Sequence, residues 1–397
     1  MTEWAAALAT ARYAAGVASA ADVASAVEHI RDWRALEHVL DSEGLSLLFA
    51  RAISAAGTLP ATAGAAAFVT STVAHATRAL GQFRQLADLN DALDQAGIGA
   101  LPYKGPLLSW RLYGDVALRM STDLDIVVPR DAYDRARAVL VARGSAPRRG
   151  HSLAQERTLF RWLGHASFGV GDVTFVELHW RFAPLTFPFA LTPSDALARS
   201  RPTQVGSRTF QMMDDRDLLV TLAMHGTRHL FERLEWLSGF ARLLASTQAT
   251  PEEMLAHASR LRARRMLLVA VATAEAVLGI PPAELWLAAL REDAGARRIA
   301  AQLAAAIAAR GEGSPRVLEG AVLQRFYADM LDGPLDAGRL LLSGALLPTE
   351  REWETVRLPD LLTPLYLAVR PVRLLARWVV RGIMLVSRSA RARVRAT

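Results

Sequence analysis

Cysteine is absent from all 397 residues. Disulfides and Cys-based zinc sites are therefore excluded, and nothing marks the chain as secreted. Lysine is nearly absent too: Lys104 is the one lysine among 46 basic residues, and the others are arginine. The two are not interchangeable, because lysine is a compact point charge on a flexible stem and arginine a planar fork. A lone lysine in such a chain either marks a place where arginine does not serve or is an accident of composition. No Gly-x-Gly-x-x-Gly, P-loop or Gly-x-Ser-x-Gly pattern occurs, nor any fixed-period repeat. The opening MTEWAAALATARYAAG has neither a basic start nor a cleavable apolar run. It reads as an ordinary helix, which makes the cytoplasm the expected address.

With 52% hydrophobic and 21% charged residues, the chain can bury a substantial core. Its length suggests two or three domains. The net charge of +7 belongs to the tail: residues 361–397 hold eight arginines and no acid, so the remainder is close to neutral. That argues against a nucleic-acid surface spread over the molecule. Arg370, Arg373, Arg377, Arg381 and Arg388 fall on one helical stripe, with Val372, Leu375, Trp378, Val379, Ile383 and Val386 around it. Such a basic amphipathic helix either lies on the anionic inner membrane surface or docks on the body with its arginines solvated. The regular arginines exclude a spanning helix, and poor aromatic interleaving leaves no clear nucleic-acid partner.

The spacing predicts an α+β chain, with a small mixed sheet set between helical regions. Residues 1–95 show apolar periodicity near 3.6, in EHIRDWRALEHVLDSEGLSLLFARAI and ATRALGQFRQLADLNDALDQAG, with a break at 57–60 and a cap at Gly97. Residues 96–213 change character. IGALPY is a short apolar run, and PLLSWRLYG a short helix with proline in its first turn. LDIVV is a β-branched strand, and 131–144 a helix capped by Asp131 and closed by Gly144. HASFGV and VTFVELHW form a hairpin around Gly171-Asp172, and RTFQMM (208–213) is one more edge strand. A second helical region spans 214–350, broken at 279–282 and 311–315, before the basic tail at 351–397.

Asp123 and Asp125 sit at the head of the LDIVV strand. Residues two apart on a strand point the same way, so both carboxylates project together while Leu124, Ile126 and Val128 face the core. Two carboxylates this close repel unless a cation lies between them. Mg²⁺ suits oxygen ligands and usually takes one or two carboxylates plus substrate phosphates. In VTFVELHW, Glu177 and His179 share the face opposite Val176, Leu178 and Trp180. If that strand lies beside LDIVV, Glu177 joins the Asp pair, and three acids can hold metal for in-line phosphoryl transfer. Alone, Asp-X-Asp at a strand start is commonly a cap or turn; the Lys104-Gly105 bend upstream sharpens the reading. Glycine lets backbone approach a ligand, the following helix N-terminus favours an anion, and lysine adds charge. Pro106 removes one N–H donor there.

ALPYKGPLLSWRLYGDVALRMSTDLDIVVPRDAYDRARAVLVARG, followed by VELHW, resembles the uncharacterised nucleotidyltransferase family of the DNA polymerase beta superfamily. The resemblance covers roughly residues 20–245. It implies a polymerase-beta-like nucleotidyltransferase core, divalent metal (Mg²⁺ or Mn²⁺), an NTP such as ATP, and an undefined small-molecule, sugar or peptide acceptor in a biosynthetic pathway. Carried over by position, Asp123, Asp125 and Glu177 are the metal ligands and catalytic acids. Lys104 and Gly105 hold the triphosphate, and Arg119 neutralises phosphate charge. His179 and His225 match family positions without an assigned role. The family usually has an Asp where Gly239 stands. In HGTRH, His225 and His229 lie one turn apart, without the glutamate of a zinc-protease motif. That segment is either a polar packing face or a cleft wall in which Arg228 binds phosphate and His225 faces the substrate. Two rivals remain at this level: a non-catalytic nucleotide- or partner-binding module, and a membrane-surface scaffold that works through the tail.

Overall fold

The computed structural model describes residues 2–57, 62–147, 163–170, 174–313, 320–348, 352 and 355–376. The Gly171-Asp172 turn, residues 58–60 and 314–315 of the two breaks, and tail arginines Arg377, Arg381 and Arg388 lie outside them.

The sheet forms where β-branched and alternating residues interrupt the alanine- and leucine-rich helices. β1 is Leu101–Pro102, β2 Asp123–Val127, β3 Ala146–Pro147, β4 His165–Val170 and β5 Thr174–His179. They make one five-stranded sheet in the order β1-β2-β5-β4-β3. β2 runs parallel to β5, and the other pairs are antiparallel, so the sheet is mixed. The class is α+β, as the residue pattern indicates. Leu124, Ile126, Val128, Val176, Leu178 and Trp180 are all buried in the core on one face of the sheet. The helix Ala63–Gln95 lays Leu86, Leu89 and Leu93 against the same core and ends at Gly97, in the left-handed region.

Two local expectations are corrected. Asp131 does not cap a helix: it lies in a 3-10 turn, Arg130–Ala132, and the helix Tyr133–Ala142 starts without a side-chain cap. Pro129 shapes that entry by fixing its own backbone just before the turn. RTFQMM does not join the main sheet. As β7 (Arg208–Met212) it pairs only with β6 (Arg201–Val205), in a separate two-stranded sheet. Pro202 and the charged residues around it hide the alternation of β6 from inspection.

The two helical regions share one core. Leu36 and Phe49 from the N-terminal side are buried in the same cluster as Phe240 and Leu267 from the C-terminal side. The apparently continuous pattern over 28–53 divides into helices Trp33–Ser42 and Ser46–Ala56 at Gly44, which takes a left-handed φ of 72°. Part of the tail folds on itself and touches the helix before it, where Arg370 Nε donates to the Gly344 carbonyl at 2.9 Å. Helix 366–376 carries Arg370 and Arg373, and both pair with the fully buried Glu352. Those two members of the stripe are therefore not free to face a membrane. Among the described residues no helix is long and apolar enough to cross one.

Candidate active site

Parallel pairing of β2 and β5 puts Asp125 directly opposite Glu177. Both belong to the sheet face turned away from the Leu124–Ile126 core, so alternation sends their carboxylates into one cleft of about 430 Å³. His179, two residues beyond Glu177, joins them. Its Nε2 lies 2.9 Å from Asp125 Oδ1 and 3.3 Å from Glu177 Oε2. The ligand atoms of Asp125, Glu177 and His179 fall within 4.8 Å of one another, a spacing one metal ion can bridge. The sequence points to Asp123, Asp125 and Glu177; the geometry brings together Asp125 and Glu177 with His179, and leaves the Asp123 carboxylate outside that close group. Asp123 stands at the start of the same strand, where Ser121 Oγ donates to its carbonyl at 2.6 Å and lies 3.3 Å from its Oδ1.

The charges in the cleft are unevenly compensated. Burial, together with the neighbouring charges of Asp125 and Glu177, pushes the Asp123 carboxyl up to about 6. Asp125 is buried as well, but Lys104 and His179 hold its carboxyl far below the ordinary range. Burial opposes charge on His179, yet its hydrogen bonds to Asp125 and Glu177 push it up to about 9. The carboxylates of Asp123, Asp125 and Glu177 offer the oxygen donors that a hard divalent cation takes, and such a cation would relieve the repulsion that helps raise Asp123.

Cations line the same cleft. Lys104 Nζ is 3.4 Å from Asp125 Oδ1, at the N-terminus of helix Gly105–Tyr113. Gly105 takes a φ of 56°, which L side chains rarely adopt, so glycine suits the bend that turns the chain from β1 into this helix. Helix Asp215–Arg228 and the turn after it deliver His225, Arg228 and His229. Arg228 Nε is buried with no hydrogen-bond partner among the described residues, and its NH2 lies 2.8 Å from His229 Nε2. Burial, then Arg228 and Lys104, push His229 down to about 3. His225 is held well below its ordinary value, by burial first and then by Lys104, His229 and Arg228. Both imidazoles are thus neutral beside Arg228, which has no acidic partner among the described residues.

The family described as uncharacterised nucleotidyltransferase matches residues 29–279 of this chain. The chain belongs to that family. The match spans the helices from Trp33 onward, the sheet and the helix that carries Arg228, and leaves out the first two helices, Thr2–Ala15 and Ala20–Val27. No curated protein matches the chain. The solution structure of the antibiotic-resistance factor ANT(2'')-Ia is similar over 47% of this chain and 93% of that one, at 12% identity and a TM-score of 0.34. A likeness that loose carries no argument about function.

For this nucleotidyltransferase the structure places Arg119 in a buried ion pair with Glu235, whose Oε2 accepts from Arg119 NH2 at 2.9 Å; Arg119 also lines the cleft. Glu235 carries no motif signal, because helix Leu234–Ser246 reads as an ordinary amphipathic segment. Gly239 lies one turn further on. A Cβ there would press on Leu112 Cδ1 at 3.1 Å and stand in ordinary contact with Glu235 Oε1 at 3.6 Å. Sequence reasoning also passed over Tyr103, His165, Arg181 and Trp236, which line the cleft. Their place beside Lys104, His179 or HGTRH was the only signal available.

Proposed function

We propose that the chain is a metal-dependent nucleotidyltransferase that moves a nucleoside monophosphate from an NTP to a hydroxyl or phosphate of a small-molecule, sugar or peptide acceptor. The observation that carries this reading is one cleft lined by Asp125, Glu177 and His179 and by a half-buried Arg228 whose Nε has no hydrogen-bond partner among the described residues. Asp125 and Glu177, with Asp123, would hold Mg²⁺ or Mn²⁺, and His179 orients two of those carboxylates. The ion, when bound, supplies charge neutralisation for the triphosphate and for the oxygens that enter and leave at phosphorus. Lys104 and Arg228 bind phosphate oxygens, and the neutral His225 and His229 leave that charge for the substrate. Glu177 accepts the proton of the attacking hydroxyl. A bond forms from the acceptor oxygen to the α-phosphorus, the bond to the bridging oxygen breaks, and pyrophosphate leaves. ATP is the first nucleotide to test, and a cytoplasmic address fits its supply.

Incubation with each labelled NTP, Mg²⁺ and an extract of the source cell should label an acceptor, and Asp125→Asn should abolish labelling while the fold is retained. Labelling undiminished in that variant would remove the metal role. One observation favours a second reading. A protonated His179 between Asp125 and Glu177 neutralises much of the acid cluster without metal, as a nucleotide-binding module that has lost catalysis would do. Calorimetry with Mn²⁺ separates the two: the enzyme takes up the ion near neutral pH, whereas the module does not.

A further inference from the structure

Beside the cleft lies a larger hollow of about 1000 Å³, between helices Ala294–Gly311 and Gly320–Asp329. Its wall is mainly apolar. Ala301, Ala305 and Ala306 from the first helix and Val322 and Phe326 from the second line it. Alanine side chains are too short to close the gap between the two helices, so apolar surface stays concave and in contact with water. That is the shape of a site for an apolar ligand.

The hollow and the cleft share a wall. Glu232 lines both. Leu230, next to His229 of the cleft, lines the hollow. The turn that joins them is held in an unusual conformation: Leu230 and Phe231 have φ of 57° and 44°, in the left-handed region that non-glycine residues rarely occupy. Such turns persist where surrounding packing enforces them, and they cluster at functional sites. Here Phe231 is fully buried against Gly226, one turn before Arg228 and His229.

We propose that this hollow receives the apolar body of the acceptor, an alcohol or phosphate carrying an acyl, prenyl or aromatic group, whose polar end passes Glu232 to reach the acids. The proposal rests on the transferase reading and names its substrate class. Arg298, Arg310 and Arg325 also line the hollow, but Arg298 pairs with Asp329 and Arg310 with Glu43, and most of the wall is apolar surface that a polar sugar or nucleotide would not use.

Decyl glucoside below its micellar concentration is a suitable probe, with glucose as its tail-free counterpart. Calorimetry should show the first binding and the second not. Ala305 is exposed on its helix, so Ala305→Trp fills the hollow without entering the core. It should weaken decyl glucoside binding by about tenfold or more while Mn²⁺-dependent NTP binding is unchanged. Leu335→Trp, at a site 87% exposed and outside the hollow's lining, should change neither. With labelled NTP and a butanol extract of cells, label should enter a butanol-soluble product in the wild type and be lost in Ala305→Trp. Equal binding of glucose and decyl glucoside, binding indifferent to Ala305→Trp, or a labelled product confined to the water phase overturns the proposal. Failure of the transferase reading would look different: no NTP binding and no label in any phase, while the calorimetry still decides whether the hollow takes an apolar ligand.

Discussion

Arg228 is a guanidinium whose Nε finds no partner among the described residues. Burial holds its pKa below the ordinary arginine range, so protein groups compensate the charge poorly and a phosphate would compensate it better. Stability and activity should therefore move in opposite directions in Arg228→Met. Turnover should fall by about 10²–10³-fold, the usual cost of removing one preorganised donor to developing charge. The urea midpoint should hold or rise, because an unpaired buried charge is lost. A midpoint that falls along with turnover would make Arg228 a structural residue. His229 gives a pH dependence. Its folded pKa, about 3, lies below the 6.5 of an exposed imidazole. Between those values the unfolded chain binds a proton that the folded chain does not, so stability rises with pH across that window and is lost as pH falls below 6.5. Guanidinium unfolding of the metal-free protein at pH 6.5 and 5 should show that loss, and His229→Gln should show less of it. Equal slopes in both proteins would contradict the assignment.

Two elements carry the catalytic geometry. β2 and β5 present acids on one face because their alternation buries Leu124, Ile126, Val176 and Leu178 on the other. A one-residue slip in their pairing would send the acids into the core, so the hydrophobic face fixes the register of the site. Helix Asp215–Arg228 presents the cationic wall and depends on Gly226. A Cβ there would stand 2.2 Å from the Phe231 ring, which is fully buried and has nowhere to move. Gly226→Ala should cost about 1–3 kcal/mol, typical of an overpacked core. It should also lower turnover, since the displaced turn carries Arg228 and His229. A variant with wild-type melting and wild-type turnover would show that the turn is compliant.

At the scale of the molecule, helices far apart in the chain close on Glu43. Its carboxylate is buried, accepts from the Leu234 backbone N–H at 2.8 Å and from Arg310 Nε and NH2 at 3.0 Å each. One side chain thus ties the N-terminal helices to the helix that carries the cationic wall's neighbour and to the helix that lines the apolar hollow. Glu43→Ala should destabilise by about 3–5 kcal/mol, because it leaves Arg310 without its partner in a mostly buried place. The loss should appear in one cooperative transition, since both helical regions share a core. Two separate transitions in the thermal scan would mean that the regions fold apart.

What the sequence determined by itself was set by local periods. The two-residue alternation in LDIVV and VTFVELHW assigns each acid its face, glycine and proline mark the bends around Lys104, and the apolar spacing marks most of the helices. The tail stripe showed the limit of that method: its period was legible, but not that a buried Glu352 would claim Arg370 and Arg373. The tertiary structure alone decided that β5 lies parallel to β2, that His179 stands between Asp125 and Glu177, that Glu235 holds Arg119, and that an apolar hollow opens beside the acids. A period fixes which way a side chain points from its own strand or helix. Which strand or helix it meets depends on contacts between segments distant in the chain, and those are settled by burial of the whole core.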